Sequence, residues 1–180
     1  MAGKIERKYM AHFVDTANLC ATTATTASWY RLGDDFEEFN IELNPDTEVV
    51  KNIKGQTRFD HNGYEPSSSG DPYYAREGDA LFPKLQQIVD NRYQGDQCLT
   101  DTLEVHLWEA GSTTGTFVAY KQPAYIVPTQ YGGDTSGYQI PFDVNYVGAR
   151  VKGEFTPTEG QTKDNAEGGT FTPVSGGALG

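Results

Sequence analysis

Seven carboxylates fall between positions 34 and 48: Asp34, Asp35, Glu37, Glu38, Glu42, Asp46 and Glu48, with no lysine or arginine among them. Two carboxyl groups facing one cleft are the machinery of glycoside hydrolysis, one acting as acid and the other as base or nucleophile. Glu38 and Glu42 are expected on one face of a strand, but the sequence supplies no opposing partner and no cleft. The same run also reads as a solvated outer sheet face, or as a surface exposed to a charged cargo. His12, His61 and His106 stand singly, sharing no short motif with a cysteine, and read as structural or surface residues. Cys20 and Cys98 belong to no metal-spaced pair and read as free buried thiols of a reducing compartment. Ser67, Ser68 and Ser69 precede Gly70 in a turn and form no nucleophile elbow. The Gly132–Gly137 segment has the composition of an anion nest, yet a strand follows it rather than a helix, so a hairpin turn is expected. No phosphate loop, no dinucleotide fingerprint and no metal-spaced Cys/His pair appears, so no catalytic, cofactor or metal residue is nominated, and the glycosidase reading ranks last.

The sequence contains one convincing helix. Leu81, Leu85, Ile88 and Val89 fall at i, i+4, i+7 and i+8 and make a single apolar stripe. Asp79 is the expected N-cap, Pro83 fits the first turn, and Gly95 is a natural stop, giving a helix over 79–92. Such a stripe must pack on a sheet or plug a barrel.

Nearly everything else alternates. His12 and Val14 suggest a first strand; Trp29, Tyr30 and Leu32 precede a turn at Gly33–Asp34. Phe39, Ile41 and Leu43 alternate with Glu38, Asn40 and Glu42. After a turn at Asn44–Pro45–Asp46, Thr47 to Ile53 alternate again, so a hairpin over 39–53 is expected. Thr57 to His61 continue as a short strand, and 62–72 reads as a loop. Leu103, Val105 and Leu107 lead to a hairpin turn at 111–115. A strand from Phe117 to Val127 is interrupted at Pro123. Ile140, Phe142, Val144 and Tyr146 alternate, and the parity switches near Gly148, implying a bulge or bend. The pattern implies about eight or more strands in a sandwich or barrel with one flanking helix. Residues 1–156 form the domain, with a basic arm at 1–8. Residues 157–180, rich in Gly, Thr and Pro, show no core-forming period and read as a tail.

Composition narrows the function classes. The chain has 180 residues, a hydrophobic fraction of 37% and a formal net charge of −11. That charge opposes a grip on nucleic acid through phosphate neutralisation, though not a surface that DNA slides past. No apolar run approaches the ~20 residues of a membrane helix, so no membrane partner is expected. The charged N-terminus lacks a signal-peptide core, implying no secretion by that route.

Three blocks carry a resemblance: LGDDFEEFNIELNPDTEVVKNIKGQTRFDHNGYEPS (32–67), YYAREGDALFPKLQQIVDNR (73–92) and YGGDTSGYQIPFDVNYVGARVKGEF (131–155). In order and spacing they resemble the major tail tube proteins of tailed bacteriophages, of the type found in prophages of Gram-positive hosts. The likeness spans most of residues 5–155. It implies a structural protein rather than an enzyme: a β-sandwich with a flanking helix, six copies to a ring, and rings stacked into a tube that conducts DNA without binding it specifically. It further implies tail-tip or baseplate, tape-measure and tail-terminator proteins as partners, with residence in the virion tail after assembly in the host cytoplasm. In such rings the inner sheets join into one barrel, and a hairpin or loop near the first strands reaches the next ring. Four strands from each of six copies, about 24 at ~4.8 Å, give a circumference of roughly 115 Å before tilt, wide enough for duplex DNA. Strand alternation then nominates Glu38, Glu42, Asp143 and Asn145 as lumen-facing. The segment around Asn44, Pro45, Asp46, His61, Asn62 and Tyr64 is nominated for contacts between rings. Two other readings stay open: the inner tube of a contractile tail, tailocin or related injection system, and a β-sandwich carbohydrate-binding module using its 11 Tyr, nine Phe and two Trp.

Overall fold

The structure, a computed structural model, describes residues 3–179. Met1 and Ala2, at the start of the expected N-terminal arm, and Gly180 lie outside the described residues. Twelve strands and one α-helix follow in chain order. They are β1 (Met10–Asp15), β2 (Trp29–Leu32), β3 (Pro45–Lys51), β4 (Thr57–Tyr64), β5 (Ser67–Gly70), α1 (Phe82–Asn91) and β6 (Leu99–Ala110), then β7 (Phe117–Pro128), β8 (Gly132–Asp134), β9 (Gly137–Gln139), β10 (Phe142–Tyr146), β11 (Arg150–Pro157) and β12 (Gly169–Leu179). The protein is mainly β, a curled antiparallel sheet with one flanking helix.

Eight strands form the main sheet. Its path is β12-β11-β7-β6-β1-β2, with β10 paired to β7 and β5 paired to β10. The long β7 therefore shares one edge between two partners: Phe117–Lys121 with β11 and Ala124–Pro128 with β10. Pro123 sits at the fork. Its carbonyl accepts a hydrogen bond from the Val147 amide at 2.9 Å, so its missing N–H faces the gap where neither strand pairs. A proline inside a central strand is tolerated there for that reason. Gly148, at φ +66°, makes the turn that carries the chain from β10 to β11 and switches the parity.

Alternation gives this sheet two apolar faces. On one, Phe13, Leu103, Val105, Ala119 and Phe155 gather with the fully buried Ala166. The Phe13 and Phe155 rings lie 4.9 Å apart although β6 and β7 separate their strands. Three flat strand spacings would put them roughly 14 Å apart, so the sheet is curled tightly around this cluster. The loop 158–168 closes the curl: Ala166 accepts from the Arg31 guanidinium at 2.8 Å, and Asp164 accepts from the Tyr9 hydroxyl at 2.9 Å. The opposite face, through Val14, Ala124, Ile126, Phe142 and Val144, meets the helix stripe of Leu81, Leu85, Ile88 and Val89, all four buried. Gly70 permits this packing, since a Cβ there would stand 2.6 Å from the Phe142 ring.

Several expectations are corrected. Asp79 does not cap α1; Leu81 does, without a side-chain bond. Asp79 instead fastens the preceding turn, accepting from the Leu81 amide at 2.9 Å and from the Tyr73 hydroxyl at 2.6 Å. The helix starts at Phe82 rather than at 79, while its end agrees with expectation: Asn91 is the last residue and Arg92, in the left-handed region at φ 51°, is the C-cap instead of Gly95. Phe39–Leu43 is not a strand: Phe39 is buried against α1's core, and only Glu42 makes an isolated bridge, to Ser67. The hairpin is consequently β3 with β4, and Asn44–Pro45–Asp46 marks its root rather than its turn. The 62–72 segment contains β5, whose serines gave no hydrophobic alternation. The segment after Pro157 is no free tail, because it pairs along β11 as β12 and supplies Ala166 and Phe171 to the core.

Leu85 is fully buried, whereas Ile53 is fully exposed. Urea denaturation is expected to show a loss of about 2–5 kcal/mol for Leu85→Ala and a change within ~0.5 kcal/mol for Ile53→Ala in the isolated chain.

Candidate functional site

Among the described residues nothing covers the β3–β4 hairpin. Its turn is self-made: Asn52 Oδ1 accepts from the Lys54 and Gln56 amides, both at 3.0 Å, and Gly55 takes φ +76°. The register pairs Val49 with Phe59, Thr47 with His61 and Lys51 with Thr57, placing these six on one face. Glu48, Val50, Arg58 and Asp60 occupy the other. Val49 is 63% exposed and Phe59 64%, and β3 has no buried residue. A two-stranded hairpin is marginal in water by itself, and this one leaves its apolar cross-strand pair in solvent. Charge is also segregated. Residues 51–58 hold Lys51, Lys54 and Arg58 and no carboxylate, whereas Asp46, Glu48, Asp60 and Glu65 lie toward the root. Arg58 leans on Asp60 at 2.7 Å.

The six residues nominated for contacts between rings all gather at this root. Pro45 pairs with Tyr64, Asp46 with Gly63, and the His61 and Tyr64 rings meet edge-on at 4.6 Å. Asn62 is exposed beside them. Asn44, at φ 43°, ties the root to β5 by donating to the Glu65 carbonyl and to Ser67 Oγ, both at 3.0 Å.

A second surface lies on the Phe13 face of the sheet, beyond the reach of the curl. Bridge and register pairs align Glu42, Ser67, Asn145, Tyr125 and Leu99 in one row, and Ser69, Asp143 and Val127 in the next. Asp101 and Lys121 continue this face, 3.5 Å apart. Of the four lumen candidates, Glu42, Asp143 and Asn145 are thereby brought together. Glu38 is not; it lies in an exposed coil, bonded to Asn40, and no pairing brings it to this face. Its strand was expected from alternation, but Phe39 turns into the core and breaks the run. Three carboxylates against one ammonium leave this face net negative.

On the helix-bearing face, a cavity of about 320 Å³ opens beside a polar cluster missed in the sequence. Glu104 accepts from His106 Nε2 at 2.7 Å and from Arg150 at 3.0 Å. Arg150 stacks on the Tyr120 ring, 4.1 Å from its centroid, and His106 stacks on Trp108 at 4.4 Å. The available signal was parity: Glu104 and His106 alternate with Leu103, Val105 and Leu107. Burial alone would raise the Glu104 carboxyl, but the His106 bond and the Arg150 charge hold it below its ordinary value. His12, paired in register with Glu104, is 6% exposed, and its Nε2 meets no hydrogen-bond partner among the described residues. Burial, aided by the Arg7 charge, pulls its pKa down to about 4.

The carboxylates of the acidic run do not converge. Asp34, Asp35, Glu37 and Glu38 lie in the coil after β2, Glu42 on the sheet face, and Asp46 and Glu48 on the hairpin. Cys20 and Cys98 are free thiols, the first half-buried and the second buried. Among the described residues no group of three metal-ligating side chains forms, and no helix is long and apolar enough to cross a membrane. No protein-family model matches the chain, and no curated protein matches it.

His12 gives a pH dependence with a definite sign. Its folded pKa lies below the ordinary ~6.5, so the unfolded chain binds the proton first. The stability held by neutral His12 is complete above about pH 6.5 and is lost as the pH falls toward 4. Urea denaturation at pH 7 and pH 5 is expected to show about 2 kcal/mol more acid loss for the wild type than for His12→Leu.

Proposed function

We propose that this protein is a structural subunit that assembles with copies of itself into stacked hexameric rings, the tail tube of a bacteriophage. The observation that carries the reading is the bare hairpin: an apolar strand pair on a marginal two-stranded element calls for a covering surface that the described residues do not supply. Repeating head-to-tail contacts of this kind do not close on themselves and generate a filament. The three tail-tube blocks of the sequence and the mainly β fold with its flanking helix support the same assignment.

The water-facing patch of β6, β7, β10 and β5 is the proposed lumen wall, four strands per copy, the number from which the circumference was reckoned. Its Glu42, Asp101 and Asp143 carboxylates present the same sign as DNA phosphates, so the duplex meets repulsion rather than holding sites along the bore. The proposed role is passive conduction, without catalysis or cofactor. Tail-tip, tape-measure and terminator proteins are the proposed partners at the ends and inside, and the virion tail is the proposed location.

Negative-stain electron microscopy of the purified protein at rising concentration tests this. Rings and tubes with a duplex-sized bore are the expected result. Val49→Asp with Phe59→Asp is expected to abolish them while leaving the unfolding midpoint of the dilute protein nearly unchanged, since both side chains are exposed. A chain that stays monomeric at every concentration and retains a glycan on an array favours the carbohydrate-binding reading instead.

A further inference from the structure

We infer that the cationic tip of the β3–β4 hairpin docks in a particular cleft of a second copy, the one between β2 and the acidic coil Asp34–Glu38. This rests on the self-assembly reading and adds the seat of the hairpin. Lys51 and Lys54 flank Ile53, which is fully exposed, and among the described residues neither lysine has an ion-pair partner. Residues 51–58 hold three of the 14 cations and none of the 25 carboxylates, so the remainder of a chain of net charge −11 carries −14. A second copy is therefore the oppositely charged surface that assembly itself supplies.

The coil and β2 bound a cleft of about 340 Å³. Leu32, Phe36 and Phe39 give it apolar lining, and Asp34 and Glu37 stand on its rim, with exposed Glu38 beside them. Three cations, Arg7, Lys8 and Arg31, also line it against four carboxylates, Asp34, Glu37, Asp164 and Glu167, and Arg31 pairs with Glu167 at 3.4 Å. Arg7 donates to the Phe39 carbonyl at 2.7 Å, Lys8 pairs with Glu6 at 3.1 Å, and Arg31 donates to the Ala166 carbonyl at 2.8 Å. Asp35 is tied to Arg76, whereas Asp34, Glu37 and Glu38 have no cationic partner among the described residues. The seat thus offers an apolar floor for Ile53 and unpaired carboxylates for the two lysines, whose methylene stems pack as their ammonium groups reach the rim.

Charge reversal tests the match. Three proteins are compared with wild type: Lys51→Glu with Lys54→Glu, Asp34→Lys with Glu37→Lys and Glu38→Lys, and a chain carrying all five changes. The readout is the concentration at which half the protein pellets as assembled material, at low and high salt, with thermal unfolding confirming that each dilute variant is folded. Each single-site reversal is expected to raise that concentration about tenfold at low salt, and the combined chain to return within about threefold of wild type. Wild-type assembly indifferent to the tip reversal overturns this seat and leaves the tube reading standing. A combined chain that stays impaired overturns it equally. Loss of duplex DNA retention with unchanged assembly assigns the tip to nucleic acid instead. Absence of any wild-type assembly overturns both.

Discussion

The contact between Phe13 and Phe155 is the constraint on which this architecture depends. It can form only if the sheet bends through β1, β6, β7 and β11 until its own face closes on itself. Dispersion and burial of a few aromatic and aliphatic side chains set that curvature. Once it is set, the rest follows by exclusion. The helix takes the convex side, where Ile126, Phe142 and Val144 need cover. The loop before β12 seals the seam. The strands that diverge at Pro123 carry their half of the same face outside the curl, and that half is left to water. A single sheet thereby acquires a packed core and a solvated wall without a second domain.

The sequence was most legible where one periodicity ran long enough. The stripe Leu81, Leu85, Ile88 and Val89 specified α1 and its buried face, and the alternations around Val105 and Val144 specified β6 and β10. Legibility failed where local pattern and tertiary packing disagreed. Phe39 and Ile41 alternate as a strand would, yet Phe39 leaves the strand direction to meet His12 and Phe36, and the hairpin begins one segment later. β12 contributes so few core side chains that glycine, threonine and proline mask its pairing with β11. β5 is three serines and a glycine; pairing with β10 and the Glu42 bridge at its other edge make it a strand. No local signal marks such an element, because its hydrogen bonds are supplied from elsewhere in the chain.

The nominated site residues divide along the same line. Asp143 and Asn145 lie on the expected strand face because β10 is a true alternating strand. Glu42 reaches that face through one bridge, and Glu38 fails because its strand does not form. The six residues at the hairpin root lie together although the hairpin forms one segment later than the alternation predicts: the turn chemistry of Asn44–Pro45–Asp46 marks a real change of direction. The cluster of Glu104, His106 and Arg150 joins strands distant in sequence, and pairing of that kind is invisible before the register is known.

An exposed apolar hairpin, a charge-segregated tip and a solvated acidic wall support one proposal, that copies of this chain cover one another. Hydrogen exchange of residues 45–64, followed by mass spectrometry across a concentration series, tests that proposal most directly. It predicts rapid exchange of the β3 and β4 amides in dilute protein and strong protection in the assembled fraction, with the α1 amides protected in both. Equal, rapid exchange of the hairpin in dilute and concentrated protein contradicts it.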